Sequence, residues 1–447
     1  MNFENGFRKS LLRPVLTGVT AVAFSLVFLF GCLPELIYHQ TATTVVILLL
    51  CLLPFVVLPR LARRINSDLL YLGLLLVLSA ALMLRLYLFD AASNDYEAFL
   101  HPWVTKMQSL PGVNAITTPI GDYNMPYLYF LFLLSRTRLY DLYLIKMFSV
   151  LFDLLLAFAA ARLVRTLDGN ENRVFTAFCI MMFLPTVFLN SAYWAQCDSI
   201  WAAFCLLALN DALSCHPTRS CVFFALAFSF KIQTVFILPI LIFLWVRHKI
   251  SLKDLLFFPV TFLLTLLPAI ACGRAPADTF NIYLNQTANY PELSLNCPSF
   301  WVLFPNSDFS YFGTAALFFA GGILSACGVL LLRRRRELCD NRLFDIAFLC
   351  SLLMPFLLPR MHERYFYLAE ALCVVYALCR RRPLAFFFCL SGFLSYGPYL
   401  FGRIPISMQQ LAILCGIVII YCIWQFIKDL SFEKKSTAKA AGEERQV

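Results

Sequence analysis

Long hydrophobic runs separated by short polar segments make up most of this chain of 447 residues. Five of the runs contain no charged residue, and a helix of about 20 residues is long enough to cross the hydrocarbon core of a bilayer. These runs are 14–34, 41–58, 255–273, 309–332 and 404–427. The pattern predicts an all-α polytopic membrane protein.

The composition favours the same class. Hydrophobic residues make up 61% of the chain and charged residues only 14%, whereas soluble domains have about 45–50% and about 25%. The net charge of +10 comes from basic residues in short loops, where they set membrane topology. The charge is therefore no sign of a nucleic-acid partner, and the partner that the composition does indicate is the lipid bilayer.

Lys and Arg concentrate in the cytoplasmic loops of membrane proteins, and this bias predicts an orientation. The basic segments are the N-terminus, 59–64, 161–173, 247–253, 333–336, 380–382 and the C-terminal tail. If these segments and both termini are cytoplasmic, a second set of segments lies outside. That set is 34–41, 90–140, 190–198, 272–307, 359–365 and 402–406. Nearly all the residues with candidate chemistry fall in the outer set.

Two segments depart from the simple pattern of one run for each span. Segment 125–138 is too short to span and is better explained as an interfacial helix on the outer face. Segment 221–246 lies between two inner loops and is interrupted by Lys231 and Gln233. Two short helices joined by a turn would let the segment begin and end on the inner side. The turn is acceptable because irregular backbone is tolerated beside a polar cavity. The chain then has about 12–14 membrane helices.

The first long outer loop combines carboxylates with aromatic and amide side chains. Asp95 lies in "NDYEAFLHPW", and Asp122, Tyr123 and Asn124 lie in "GDYNMPYLY". Such groups bind sugars by stacking on ring faces and by hydrogen bonding to hydroxyls, and an aspartate among them can act as general base. We predict Asp95 as that base and the other three as substrate-binding residues. The competing interpretation is a solvated, capped loop.

The stretch "NSAYWAQCDSIWAAF" places Trp194, Gln196 and Asp198 at the outer mouth of two consecutive spans. Asp198 precedes an apolar run, so helix capping explains it equally well. Capping does not explain Trp194 or Gln196. All three are candidate substrate-binding residues.

Lys231 lies in the middle of a hydrophobic segment, where a charge costs about 2.5–3.5 kcal/mol and is functional by default. Its partner is either an anionic ligand or Asp153, in "SVLFDLLLAF". Lys231 and Gln233 are therefore candidate substrate-binding residues. Tyr283 and Gln286, in the polar outer loop that follows, are candidates for lining a substrate groove.

The stretch "LLPRMHERYFYLAE" concentrates charge between two hydrophobic runs. On a helix, Arg360 and Arg364 share a face because they are four residues apart, and His362 and Glu363 turn away from it. The two arginines and His362 then form an anion cradle, since a planar guanidinium suits phosphate oxygens. The competing interpretation is an interfacial belt of aromatic and basic residues, which accounts for Tyr365.

These candidates combine a base, an anion cradle and aromatic surroundings on the face opposite the cytoplasm, where nucleotide sugars are absent. A lipid-phosphate-linked sugar is the donor that fits this location, and the cradle then stabilises the departing phosphate. The alternative is a transporter or flippase of a lipid-linked sugar. A transporter often has pseudo-symmetric halves and a site near the midplane, so the one-sided clustering and the lack of an internal repeat in the sequence favour catalysis.

Several stretches of the chain, in order, resemble the membrane-embedded GT-C glycosyltransferases. The resemblance is greatest to bacterial mannosyltransferases related to the second mannosyltransferase of GPI-anchor synthesis. The matching stretches are "NDYEAFLHPW", "GDYNMPYLY", "NSAYWAQCDSIWAAFCLLAL", "FAFSFKIQTVFILP", "YLNQTANYP" and "FLLPRMHERYFYLA". The His-Glu-Arg element is also similar to the His-Glu-Lys of the endoplasmic reticulum glucosyltransferases that use dolichyl-phosphate-glucose. One departure is "DYNMP", where family members often have Asp-Tyr-Asn-Pro-Pro.

The resemblance implies a GT-C fold, a polyprenyl-phosphate monosaccharide as donor, and inversion at the anomeric carbon without a metal ion or other cofactor. It implies that Asp95 is the base. It also implies that His362 and Arg364 contact the donor phosphate, with Lys231 assisting.

The same resemblance implies three parts in the chain. Residues 1–68 are accessory membrane helices, 69–430 form the catalytic membrane domain, and 431–447 are a polar cytoplasmic tail. The enzyme is then expected at the cell membrane. Its active site would face outward and transfer mannose or another hexose to an acceptor glycan, lipid or protein of the cell envelope.

Overall fold

The computed structural model describes residues 2–32, 41–62, 65, 67–285, 292–304 and 309–443. Its α-helices, in chain order, are α1 (Asn2–Val27), α2 (Thr41–Leu61), α3 (Asp68–Tyr87), α4 (His101–Ser109), α5 (Asn114–Thr117), α6 (Met125–Ser135), α7 (Asp141–Leu167), α8 (Glu171–Phe183), α9 (Pro185–Phe188), α10 (Asp198–Leu213), α11 (Pro217–Phe230), α12 (Ile240–Val246), α13 (Leu252–Leu255), α14 (Phe257–Ala271), α15 (Pro276–Asn285), α16 (Phe309–Arg333), α17 (Asp340–Leu357), α18 (Tyr367–Arg380), α19 (Phe386–Ser395), α20 (Gly397–Phe401) and α21 (Met408–Glu443). Short π-helices are Phe28–Cys32, Tyr96–Leu100 and Leu189–Tyr193. The 3₁₀ segments are Ile232–Phe236, Phe300–Leu303, Arg335–Glu337, Glu363–Phe366 and Pro383–Ala385. Two strands, β1 (Ser294–Leu295) and β2 (Met361–His362), pair in parallel.

Within the described residues, eight helices are long and apolar enough to cross a membrane. A ninth arises if α8 and the segment Pro185–Tyr193, which is bent from it by 46°, form one span. The chain is therefore a multi-pass, all-α membrane protein. The number is below the 12–14 predicted from the sequence because that prediction also counts shorter segments, such as α11 with 14 residues.

The two segments that departed from the simple pattern form short helices. Segment 125–138 contains α6, which at 11 residues is too short to span a bilayer. Segment 221–246 is broken where the sequence predicted, because α11 ends at Phe230 and Lys231 is extended, with φ −151° and ψ 128°. The polar residues at this break therefore lie in irregular backbone between helices.

The polar side chains gather near opposite ends of the helix bundle. At the start of α7, Asp141 accepts a hydrogen bond from Tyr96 Oη (2.8 Å) and lies 2.7 Å from His101 Nδ1. Near the end of the same helix, Arg162 forms an ion pair of 2.9 Å with Asp211. A helix rises 1.5 Å per residue, so about 30 Å separates these two clusters.

The basic segments meet at the Arg162 end. A cleft there is lined by Thr166, Arg247 and Asp340, among others. Ion pairs join further basic residues at this end: Lys249 with Asp340, Arg342 with Asp345 and Asp429, Arg380 with Asp345, and Arg382 with Asp429. Among the described residues, the basic segments 161–173, 247–253 and 380–382 therefore lie together at one end of the bundle.

An ion pair buried among the helices joins three of them. Arg85 Nε on α3 lies 2.8 Å from Asp153 Oδ2 on α7, and neither side chain is exposed. Arg85 also donates to the carbonyl oxygen of Met182 on α8 (2.9 Å), and Ser191 donates to Asp153 (2.5 Å). The suggested pairing of Asp153 with Lys231 is therefore wrong, because Asp153 is neutralised by Arg85.

Lys146 holds the segment that directly follows α3. Its ammonium group donates to the carbonyl oxygens of Leu88 (2.9 Å), Phe89 (2.8 Å) and Ala91 (2.6 Å). These carbonyls have no intrahelical partner at a helix end, and a cation there also interacts favourably with the helix dipole. Lys146 thereby holds the segment that leads into Asp95.

Breaking the buried pair is expected to destabilise the protein far more than breaking an exposed one. Arg85→Ala leaves Asp153 as an uncompensated buried charge, which costs about 3–5 kcal/mol. Arg165→Ala is the matched control, because its pair with Glu171 is partly exposed, at 25% and 43%, and such pairs contribute about 0–1 kcal/mol. Thermal unfolding of the detergent-purified variants measures the difference, and equal melting temperatures would contradict it.

Candidate functional site

The segment 360–366, expected to be a helix, is a short strand followed by a turn. Met361 and His362 form β2 and pair with Ser294 and Leu295 of β1, and Glu363–Phe366 is a 3₁₀ turn. Arg360 has a left-handed φ of 65°, which a helix does not allow. The prediction that Arg360 and Arg364 share a helical face is therefore wrong.

The two arginines have different surroundings. The Arg360 guanidinium lies over the ring of Phe309, 4.3 Å from its centroid, and its backbone N–H donates to Leu293 O (3.0 Å). The Arg364 guanidinium lies over the indole ring of Trp194, at 5.0 Å. Arg364 therefore joins the 360–366 segment to the stretch that contains Trp194 and Gln196.

Arg364 lies among three carboxylates. Its nitrogens are 3.7 Å from Asp198, 3.9 Å from Asp95 and 3.9 Å from Glu363. It also donates a short hydrogen bond to the side-chain oxygen of Gln196. A guanidinium surrounded in this way is fixed in orientation and stays charged.

Asp95 lies immediately before the π-helix Tyr96–Leu100 and accepts hydrogen bonds on both carboxylate oxygens. Trp194 Nε1 (3.0 Å) and Gln196 Nε2 donate to Oδ2, and the Tyr399 hydroxyl donates to Oδ1. All three partners donate, which suits an ionised carboxylate because it has no proton to give. The side chains of Asp95 and Arg364 are 15% and 17% exposed, so a ligand can reach both.

A strained turn presents Trp194 and Gln196 to Asp95. Ala195 between them has a φ of 64°, which is uncommon for a residue with a Cβ atom. The backbone N–H of Gln196 donates to Asn190 O (2.8 Å) and closes the turn. Strained conformations of this kind persist where the surroundings enforce them and cluster at functional sites.

Gln196 connects three groups through one amide. Its NH₂ donates to Asp95, and its oxygen accepts from Arg364 and from the Tyr123 hydroxyl (2.6 Å). The donor and acceptor ends of the amide thus match the charges that they face. Tyr123 is thereby brought next to Gln196 and Arg364.

Asp198 forms the deeper part of the site. Lys231 Nζ lies 2.5 Å from its Oδ1, and Trp201 Nε1 (3.1 Å) and Asn190 Nδ2 (2.8 Å) also donate to the carboxylate. The partner of Lys231 is therefore Asp198. The capping interpretation of Asp198 is wrong, because the N-cap position of α10 is Cys197 and no side chain bonds to the first turn.

Asp122 and Asn124 flank Tyr123 in the same loop. Burial raises the pKa of Asp122, and the charges of Arg364 and Lys231 act in the opposite direction. Asp122 therefore lies within electrostatic reach of the same cations as Asp95. Asn124 is buried at the start of α6.

The two residues before Arg364 have opposite pKa shifts. Burial, together with the charges of Arg364 and Lys231, lowers the pKa of His362 to about 4. Burial raises the pKa of Glu363 to about 7, against the effect of Arg364 and with the help of Asp95. At neutral pH, His362 is thus uncharged and Glu363 is divided between its two protonation states.

The remaining candidates lie at different distances from this centre. Tyr365 stands beside His362, with 5.2 Å between ring centroids. Tyr283 is buried elsewhere, between helices, where it donates to Ser229 O (2.8 Å). The structure does not bring Tyr283 to Asp95, and Gln286 lies outside the described residues.

Tyr399 is the residue that the sequence analysis missed. It lies in "SYGPYLF" near the end of an apolar run, where an aromatic residue is ordinary for a membrane interface. Its contact with Asp95 spans 304 positions of the chain. No local signal could distinguish it from its neighbour Tyr396.

Chemically, the site can hold a hydroxyl against a carboxylate and an anion against a guanidinium. Asp95 supplies the acceptor and Arg364 the positive charge, while Lys231 is paired with Asp198. No protein-family model matches this sequence, and no curated protein matches it either.

Anion binding at the site is expected to weaken as the pH rises. An anion beside Arg364 raises the pKa of His362 from about 4 and that of Glu363 from about 7, so each group takes up a proton on binding. Affinity is then constant below each starting pKa and falls above it, by up to about tenfold per pH unit for each proton taken up. Sulfate is a suitable probe, because its charge is constant from pH 5 to 9.

Titration calorimetry with sulfate at several pH values measures this dependence. Glu363→Gln should remove the fall above about pH 7, and His362→Gln the fall below it. Both variants keep the size of the side chain and replace its titratable group. An affinity that does not change with pH, or a slope that neither variant alters, would rule out this linkage.

Proposed function

We propose that this protein is a membrane glycosyltransferase of the GT-C type. It transfers a monosaccharide, mannose or another hexose, from a polyprenyl-phosphate donor to an acceptor hydroxyl. The observation that carries the proposal is the meeting of Asp95 and Arg364, whose charged groups lie 3.9 Å apart and are both bound to Gln196. A base for the acceptor and a cation for the leaving phosphate thus share one site.

Asp95 acts as the general base in this proposal. Its Oδ1 accepts a hydrogen bond from the Tyr399 hydroxyl, and an acceptor hydroxyl can take the place of that phenol. The acceptor oxygen then attacks the anomeric carbon while its proton passes to Asp95. One displacement of this kind inverts the configuration at that carbon.

Arg364 stabilises the leaving group. As the bond between the anomeric carbon and the phosphate oxygen breaks, the electron pair stays on the phosphate, and charge stabilisation there is usually the largest electrostatic contribution. Arg364 is shared among carboxylates in the resting site, so phosphate has to replace one of them. Glu363 is the one whose pKa, at about 7, allows it to be neutralised at little cost.

His362 and Lys231 extend the positive surroundings of Arg364. His362 is neutral in the resting site and becomes a cation when an anion raises its pKa. Lys231 is paired with Asp198 at 2.5 Å and contributes at longer range. The transfer uses these side chains and the donor's own phosphate, so no cofactor takes part in the proposed step.

The proposed orientation places the site outside the cell membrane and both termini in the cytoplasm. The basic loops gather at the end of the bundle remote from Asp95, which fits the preference of Lys and Arg for the cytoplasmic side. A polyprenyl-phosphate sugar is the activated donor suited to the outer side. A transporter often has pseudo-symmetric halves and a polar site near the midplane, whereas the side chains here supply a base and a leaving-group cation in one site, as a transfer reaction requires.

Asp95→Asn is expected to abolish sugar transfer while donor binding survives. The amide keeps the shape of the carboxylate but cannot take the acceptor proton, and general-base catalysis typically contributes about 10²–10⁴-fold. Purified protein in vesicles, given a labelled polyprenyl-phosphate sugar, measures transfer and donor binding separately. Glu97→Gln is the matched control, because Glu97 is exposed in the same loop. Full activity in Asp95→Asn would remove Asp95 from the mechanism.

Arg364→Ala is expected to weaken donor binding by about tenfold or more, since hydrogen bonds to charged groups contribute about 1.5–3 kcal/mol. Arg364→Lys keeps the charge but loses the planar fork, and we expect intermediate donor binding with a lower transfer rate. Equilibrium binding of the polyprenyl-phosphate sugar to each variant checks this. Unchanged binding in Arg364→Ala would show that the phosphate lies elsewhere.

A further inference from the structure

A groove of about 850 Å³ lies beside the candidate site, between α19, α20 and the π-helix Leu189–Tyr193. Apolar and aromatic side chains form most of its walls. They include Tyr193, Phe393, Leu394, Leu400, Phe401 and Ile404. A hydrocarbon chain is the kind of ligand that such walls accommodate, because it removes apolar surface from water.

Two residues that line the groove are next in sequence to residues that contact Asp95. Tyr193 is followed directly by Trp194, and Leu400 directly follows Tyr399. The rings of Trp194 and Tyr399 stack at 4.6 Å, and both donate to Asp95. The backbone that carries this stacked pair of rings therefore also forms part of the groove.

Arg403 gives the groove a cationic rim. Of the described residues that line it, Arg403 alone is charged, and its side chain is exposed. No described carboxylate forms an ion pair with it. Its place is fixed by the backbone: Gly397 lies so close that a Cβ there would be 2.6 Å from Arg403 O. Apolar walls with an arginine at the rim match a lipid whose headgroup is a phosphate.

The hydrogen-bond partners of the two Asp95 oxygens indicate whether this lipid belongs to the donor or to the acceptor. Oδ2 faces Gln196 and Arg364, the side on which the donor phosphate leaves. Oδ1 faces Tyr399, on the side of the groove. In an inverting displacement the acceptor and the leaving group lie on opposite sides of the sugar, so the groove is on the acceptor side.

We propose that the groove binds the hydrocarbon chain of a lipid-linked acceptor, with Arg403 bound to the phosphate that joins this lipid to its sugar. The assignment of the lipid to the acceptor rests on the proposed function. The binding of a lipid phosphate in the groove does not, and the experiment separates the two.

Photolabelling tests the binding. The probe is dodecyl phosphate with a diazirine at the end of its chain, added to the full-length protein in phosphatidylcholine vesicles, and dodecanol with the same diazirine is the comparison probe. We expect dodecyl phosphate to label the peptide that contains residues 386–405. Arg403→Ala should reduce this labelling about tenfold or more, and Ile404→Trp should reduce it by filling the groove.

Three controls make the result specific. Arg335→Ala removes an exposed arginine elsewhere and should leave labelling unchanged. Asp95→Asn should also leave it unchanged, because binding requires no turnover. Equal labelling by dodecanol, or labelling that Arg403→Ala does not reduce, would overturn the proposal in favour of a groove for ordinary membrane lipid. Dodecyl phosphate labelling confined to residues 357–370 would also overturn it.

Transfer assays then test the assignment to the acceptor. With a lipid-phosphate-linked sugar as acceptor, Arg403→Ala should raise the KM for that acceptor about tenfold, while the KM for a free saccharide acceptor and the donor affinity are unchanged. An equal effect on both acceptors would overturn the assignment. Labelling of the groove without transfer to any acceptor would instead refute the proposed function and leave the lipid site in place.

Discussion

Gln196 holds the candidate site together, because its single amide offers a donor to one charged group and an acceptor to the other. Asp95 and Arg364 are 3.9 Å apart, too far for a direct hydrogen bond. A direct bidentate pair would satisfy both groups fully and leave neither for a ligand. With the amide between them, each is oriented and each keeps bonding capacity, Asp95 toward a hydroxyl and Arg364 toward an anion. The strained backbone at Ala195 is what places this amide between them.

Charge balance explains why the site has two layers. Asp198 and Lys231 form a close ion pair, and Asn190 and Trp201 also donate hydrogen bonds to Asp198. The two charges of this pair cancel in the deeper layer of the site, beneath Arg364. Above it, Arg364 faces Asp95 and Glu363, so an arriving anion changes the net charge of a poorly solvated region. Protonation of Glu363 restores the balance with the smallest rearrangement. The pair Arg85–Asp153 has a different role. Both of its side chains are fully buried, and it joins helices of the bundle to one another.

The sequence predicted the membrane class, the break at Lys231 and the involvement of Gln196, because hydropathy and misplaced polar residues are local signals. It failed wherever the outcome depended on pairing between distant segments. Strand β2 forms because β1, more than 60 residues earlier, offers its backbone, so a helix was the wrong prediction for residues 360–364. The sequence offered Asp153 as the acidic partner of Lys231, but the fold pairs Lys231 with Asp198 and Asp153 with Arg85. Tyr399 gave no local signal at all.

Two left-handed residues, Ala195 and Arg360, flank the site on separate segments. Such conformations cost about 1–3 kcal/mol each and persist only where surrounding contacts enforce them. The enforcing contacts are the turn closed by Asn190 O on one side and the pairing of β2 with β1 on the other. Both Gln196 and Arg364 are therefore positioned before any ligand arrives. Of the described groups that donate to Asp95, the Tyr399 hydroxyl, on the five-residue helix α20, is bound to Oδ1, whereas Trp194 and Gln196 share Oδ2. Its displacement is consequently the easiest route by which an acceptor hydroxyl reaches the carboxylate.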